Sequence, residues 1–280
     1  MRNEYYPTAP GKAVEKNDSA WVDYSNAAHG YITAECLLED LRLCKTEISK
    51  GEEKVIFDMY PEPDVLPLMF GDGKYGIKIF AQVPNTDLPK YSVVLETTID
   101  VKMPNQEVRF RYPNQRVNYK PTSKAVAKTN ELCKAAKTDT EKITRIYAFV
   151  IDNFTYDYDL AVNVKPRYLP DCDRTLERKK GICCDIAELF AVMCRSQGLF
   201  VKYATGYVAD IKHPNDRNRD VYHAYNHIRV DKEITLPCGL KISKNKWTII
   251  DPTFAISGKG SKSYVDFVSN SKNYNDKHLY

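Results

Sequence analysis

Residues 181–198, GICCDIAELFAVMCRSQG, are apolar on almost every side of a helix and are bounded by glycine at both ends. Such a helix cannot lie on a surface with one face in water; it needs partners all round. The elements on either side of it must therefore supply a shell. Upstream, after Pro121-Thr122-Ser123, SKAVAKTNELCKAAK carries Ala125, Val126, Thr129, Leu132 and Ala136 at helical spacing. A second helix is predicted after a cap at Thr138-Asp139, with Ile143, Ile146, Tyr147 and Val150 on one face of TEKITRIYAFVIDNF. Downstream, FVKYATGYVAD, HAYNHIRVD and KWTIIDPTF read as strands. Helices first and strands afterwards predict an α+β domain over residues 121–280.

The preceding stretch, residues 29–120, follows a different period. GYITAECL, EKVIFDMY, KYGIKIFAQV, YSVVLETTIDV and EVRFRY alternate or run apolar, separated by GDG, PNTDLPK and MPNQ. EISKGEEKV reads as a hairpin turning at Lys50-Gly51. An antiparallel, β-rich N-terminal domain is predicted, with CLLEDLRLCK open between strand and helical turn. Residues 1–28 show no periodicity and are expected to be an extended lead-in.

Composition removes several classes of function. Lys and Arg number 41 against 37 Asp and Glu, a formal charge of +4 spread along the chain, which makes no case for nucleic acid. No run approaches the roughly 20 apolar residues of a membrane helix. The polar N-terminus lacks the apolar core of a secretory signal, so the expectation is a cytoplasmic protein, or a secreted one whose signal has been removed. The eight cysteines include no C-x-x-C pair and the histidines do not fall at zinc-finger spacing, so neither metal nor other cofactor is expected. The ordinary role for most of these cysteines is that of small buried hydrophobes.

Three residues stand out against that ordinary role. Cys183 lies two residues after Gly181, at the start of the buried helix, where unpaired N–H groups and the positive end of the helix dipole favour a thiolate. The same N–H groups suit an oxyanion. His223 opens a strand, a rigid place for a general base, with His227 four residues on as a weaker competitor. His29, His213 and His278 fall in loop-like or terminal sequence. Asp251 ends the strand KWTII ahead of Pro252, where an acid can orient a histidine or simply cap the next turn. Each residue alone is better explained structurally.

Taken in order, G-I-C-C-D-I-A, Y-x-x-G-Y-V, H-A-Y-N-H-I and W-T-I-I-D-P-T resemble the transglutaminase-like superfamily of thiol enzymes, which share a papain-like core. The resemblance spans roughly residues 122–257. LPLMFGDGKYGIKIF and YPNQRVNY are similar, less specifically, to the region that precedes this core in bacterial members. The resemblance implies Cys183 as nucleophile, His223 as base and Asp251 as orienting acid. The Gly-x-Cys spacing favours Cys183 over Cys184, which points about 100° away around the helix. Cross-linking members carry tryptophans around the thiol; here Cys184 follows the nucleophile and Tyr225 stands where Trp is common. Trp21 and Trp247 are the two tryptophans in the chain. Hydrolysis of an amide or peptide bond through a thioester acyl-enzyme is therefore expected, on a peptide or protein substrate. The alternatives are transfer to an amine, as in a protein-glutamine transglutaminase, and a non-catalytic binding module on the same scaffold. Tyr225 and Trp247 are candidates to line the substrate path. Gln115 and Asn114 are candidate oxyanion donors, against the alternative that PNQ is only a turn. The segment 213–220 is expected to overhang the site. Neither an oligomeric state nor a substrate identity can be read from the sequence.

Overall fold

The structure, a computed structural model, describes residues 5–38, 43–84, 86, 88–213, 216–258 and 261–280, with the side chains of 210–220 also outside the description. The alternatives left open for CLLEDLRLCK turn on residues 39–42, outside the described residues. The chain divides into two compact units, Pro7–Arg109 and a second that joins Tyr5 and Tyr6 to Phe110–Tyr280.

The first unit holds two four-stranded antiparallel sheets. One contains β1 (Val14–Lys16), β2 (Ala20–Asp23), β3 (Tyr31–Cys36) and β6 (Asp64–Pro67), in the order β1-β2-β3-β6. The other contains β4 (Cys44–Lys50), β5 (Glu53–Asp58), β7 (Gly73–Gln82) and β8 (Tyr91–Val101), in the order β5-β4-β7-β8. Alternation is clear in β7, where Tyr75, Ile77, Ile79 and Ala81 are buried. The hairpin expected at Lys50-Gly51 is the β4–β5 turn, with Lys50 opposite Glu53.

Three expectations for this region are corrected. The supposed lead-in contains β1 and β2; Ala20 and Val22 are fully buried, and the Asp23 carboxylate accepts from the backbone N–H groups of Gly11 and Ser25. Two strands of three and four residues are too short to register as a period. EVRFRY is not a strand but a 3-10 turn at Val108–Arg111. Asn105 starts it, its side-chain oxygen accepting from Glu107 N–H and its carbonyl from Val108 N–H. Finally, the division falls at residues 109–110 and not at 120–121. Residues 110–120 belong with the helices: Arg195 donates to the Tyr112 carbonyl, and Asn118 N–H donates to Glu188.

The second unit is α+β. Its helices are α1 (Lys124–Leu132), α2 (Asp139–Asn153), α3 (Tyr158–Val162), α4 (Cys172–Arg178), α5 (Cys183–Arg195), α6 (Pro252–Gly258) and α7 (Lys262–Ser269). Two short strands, β9 (Thr155–Tyr156) and β10 (Lys180–Gly181), pair in parallel ahead of α5. After it come β11 (Phe200–His213), β12 (Asp216–Arg229), the small ladder of β13 (Ile234–Thr235) with β14 (Lys241–Ile242), then β15 (Thr248–Ile250) and β16 (Tyr274–Leu279). The main sheet is antiparallel, in the order β15-β12-β11-β16.

Helix α5 is the hub. It packs on α1, α2, α4 and α6 and on strands β11 and β12. Eleven of its 13 residues are buried; the other two are Cys183 and Cys184 in its first turn. At roughly 1.5–3 kcal/mol for each large apolar side chain removed from water, this one helix is a main source of the unit's cohesion. Its far end carries Arg195, 1% exposed. Nε donates to the Val201 carbonyl, Nη1 to that of Tyr112 and Nη2 to the Tyr280 oxygen, at 2.9, 2.7 and 2.6 Å. Burial lowers the Arg195 pKa to about 10. Among the described residues, no helix is long and apolar enough to cross a membrane.

Strand β16 has no counterpart in the sequence reading, because YNDKHL has no apolar alternation. It is held to β11 by a ladder from Ala204–Leu279 to Val208–Tyr274, with an irregularity beside Gly206. A Cβ on Gly206 would strike the Asn275 carbonyl and crowd the Asp276 Cα, and Gly206 faces His223 across β12. Gly206→Ala should therefore push β16 off the sheet and cost about 1–3 kcal/mol, the usual range for overpacking. Denaturant titration tests this; an unchanged midpoint would show that β16 gives way freely.

Candidate active site

The start of α5 is shaped by a side chain, not by its cysteine. Ile182 is the N-cap, and its backbone N–H donates to Asp185 Oδ2 at 2.9 Å. Asp185 Oδ1 accepts from the Tyr168 hydroxyl at 2.7 Å. Burial raises the Asp185 carboxyl above the usual range, against the pull of these two bonds. A Cβ at Gly181 would lie 2.6 Å from Asp185 Cβ, so only glycine lets the capping carboxylate fold back there. Strands β9 and β10 pin Gly181 from outside, with Asp157 N–H donating to its carbonyl at 3.0 Å.

Cys183 thus begins a capped helix and is partly exposed. Its neighbour Cys184 is pushed up by burial, with the nearby Cys183 and Asp185 adding to the shift, which keeps it a thiol.

His223 lies on β12 and is 5% exposed. Its Nε2–H donates to Asp251 Oδ2 at 2.8 Å. That leaves Nδ1 to meet the Cys183 sulfur, with which the ring is hydrogen-bonded. Burial alone would lower the His223 pKa, but the Asp251 charge and these hydrogen bonds win and raise it to about 10. The ring is packed flat: Phe254 stacks on it at 4.6 Å and 8°, and Tyr225 at 6.0 Å and 19°.

Asp251 divides its two oxygens between a helix start and the histidine. Oδ1 accepts from Phe254 N–H at 3.1 Å, capping α6, while Oδ2 accepts from His223 and from the Tyr274 hydroxyl at 3.2 Å. The residue is fully buried.

The other candidates fall differently. His227 donates to Asp276 Oδ1 at 3.1 Å, and Tyr225 donates its hydroxyl to the same oxygen at 2.5 Å. Those two bonds outweigh burial and hold the Asp276 carboxyl below its ordinary range. Tyr225 is 0% exposed between the two histidines, so it supports the site from beneath and cannot line a substrate path. Trp247 is also displaced from the expected role. It precedes β15, with its ring against Phe110 and the Lys202 ammonium 4.1 Å above it. Asn114 makes the turn: its side-chain oxygen accepts from the N–H groups of Arg116 and Val117. Gln115, at the tip of that turn, is 6% exposed. Of the segment 213–220, residues 214–215 lie outside the described residues; on either side the backbone is β11 and β12, with His213 opposite Asp216.

Asp185, Tyr274, Phe254 and Asp276 were absent from the sequence reading. Asp185 alone had a usable signal, an acid at the third position of a predicted helix. The others reach the site only through tertiary packing.

Residues 126–252 match the family model of the transglutaminase-like superfamily. Solved structures similar to the chain include a candidate cysteine protease from Cytophaga hutchinsonii, at 13% identity over 86% of this chain and 77% of that one, with a TM-score of 0.44. The periplasmic domain of TgpA from Pseudomonas aeruginosa is similar at 11% identity over 90% and 99%, with a TM-score of 0.40. Red sea bream transglutaminase is similar at 12% identity over 82% of this chain and 49% of that one, with a TM-score of 0.32. No curated protein matches it in sequence.

The raised His223 pKa carries a stability prediction. A group whose folded pKa lies above its ordinary 6.5 stabilises fully below that value and loses its contribution as pH rises through about 10. The unfolding midpoint should fall between those pH values more steeply in the wild type than in Asp251→Asn, where the partner charge is gone. Parallel pH profiles for the two proteins would sink this assignment. Gly181→Ala should cost about 1–3 kcal/mol by expelling the Asp185 cap, read as a lowered denaturant midpoint.

Proposed function

We propose that the chain is a cysteine-dependent acyl-transfer enzyme that hydrolyses an amide or peptide bond. One observation carries the reading: a buried histidine hydrogen-bonded on one side to a carboxylate and on the other to a partly exposed thiol at a capped helix start. Buried imidazole, carboxylate and thiol held together are costly for a fold that has no use for their chemistry.

His223 takes the Cys183 proton, and the sulfur attacks the carbonyl carbon of a peptide or protein substrate. Negative charge develops on the carbonyl oxygen, where the Cys183 N–H and the α5 dipole stabilise it, with Gln115 as the side-chain donor. Asp251 holds the imidazolium in orientation, and its bond from Tyr274 keeps the carboxylate from rotating. His223 then gives its proton to the leaving amine, which leaves a thioester on Cys183. Water, deprotonated by the same imidazole, releases the acid. Water is favoured as acceptor because Cys184 follows the nucleophile and a buried Tyr225 stands on the histidine strand where Trp is common in cross-linking members.

Alkylation by iodoacetamide across pH tests the nucleophile. Cys183 should be the fastest-labelled cysteine near neutral pH, and Cys183→Ala should remove that fast phase; labelling no faster than that of the other partly exposed cysteines would favour a non-catalytic binding module. Asp251→Asn should lower kcat by roughly 10³–10⁴-fold and Gln115→Ala by roughly 10²-fold. Supplying a glutamine peptide with and without a primary amine separates the acceptors. Amine incorporation outrunning acid release would replace hydrolysis by transamidation.

A further inference from the structure

We propose that Cys36 and Cys44 are a disulfide-forming pair that links the two sheets of the N-terminal unit. Cys36 closes β3, paired opposite Ala20 in one sheet, and Cys44 opens β4, paired opposite Ala81 in the other. The two sulfurs stand 2.8 Å apart, at exposures of 2% and 1%. Both backbones are held by their ladders: Cys36 ends the β2–β3 register, and the Cys44 carbonyl also accepts from Met59 N–H. An approach of less than about 1 Å would join them, since the bond is about 2.04 Å long. As thiols the pair gains little, because S–H is a weak donor and sulfur a weak acceptor. As a disulfide the same two atoms cross-link separate sheets and lose nothing in packing.

The oxidant is a low-molecular-weight disulfide such as oxidised glutathione, reaching the pair through local opening. One cysteine thiolate attacks a glutathione sulfur, forming a mixed disulfide and expelling one glutathione thiolate. The second cysteine thiolate attacks the protein-side sulfur of that mixed disulfide and expels the other. Two protein thiols lose two electrons and two protons, and one oxidised glutathione becomes two reduced ones. The closed loop is short, so stabilisation comes mainly from narrowing the unfolded ensemble of this unit.

The full chain would be held with oxidised glutathione in urea just below its unfolding transition, then blocked with N-ethylmaleimide and mapped by mass spectrometry without reduction. The expected product is a linked peptide containing Cys36 and Cys44, with the mass of two hydrogens lost. The melting temperature of the oxidised protein should rise on the order of 10 °C, and dithiothreitol should reverse the rise. Cys36→Ala and Cys44→Ala should each lack both the link and the rise. The wild-type peptide map decides the matter even if a variant folds poorly. Recovery of the two cysteines as separate maleimide or glutathione adducts, or linked to other cysteines, would overturn the proposal.

Discussion

A buried guanidinium with backbone oxygens as its hydrogen-bond partners sets the frame of the second unit. Arg195 ends α5 and reaches Val201, Tyr112 and Tyr280, three segments far apart in the chain. A cation at a helix C-terminus is favourably placed against the dipole, and each charge-assisted bond is stronger than a neutral one. Removing any of the three acceptors would leave part of a buried charge unsolvated, a penalty of several kcal/mol. The helix is therefore held at its inner end, and its outer end is directed where Cys183 and Cys184 emerge.

From that frame the candidate site follows in two halves. Asp185 and Gly181 set the thiol's position within five residues of chain. The imidazole depends on β12 lying beside β15, which brings Asp251 opposite, and on β16 adding the Tyr274 hydroxyl. The His223 ring is stacked against Phe254 and Tyr225, so its orientation is fixed by packing.

Much of this was legible in the residues. The apolar run of α5 announced its burial, and the 3.6 period of α1 and α2 and the alternation of β7 located their elements. Cys183 and Asp251 could be singled out because each stands at an element boundary with a distinctive neighbour; His223, expected to open a strand, lies in the middle of β12. What stayed hidden had no local period: β1 and β2 are too short, β16 is polar, and the 3-10 turn at Val108–Arg111 borrows the apolar alternation of a strand without a strand to pair with. Tyr225 was misplaced for a simple reason. An aromatic residue near a candidate triad reads the same whether its ring faces a cleft or a core, and only the strand register decides.

The Asp185 cap is a contact between near neighbours, whereas the bond from His223 to Asp251 spans 28 residues and a sheet pairing. Short-range contacts survive partial loosening that long-range ones do not, since closing the longer loop costs more entropy. As the unit is loosened, a still-ordered helix start would keep presenting the Cys183 sulfur after its base had drifted away. On the proposed reading, proton transfer would then fail before the cysteine lost its place, leaving a population that is alkylated yet turns nothing over.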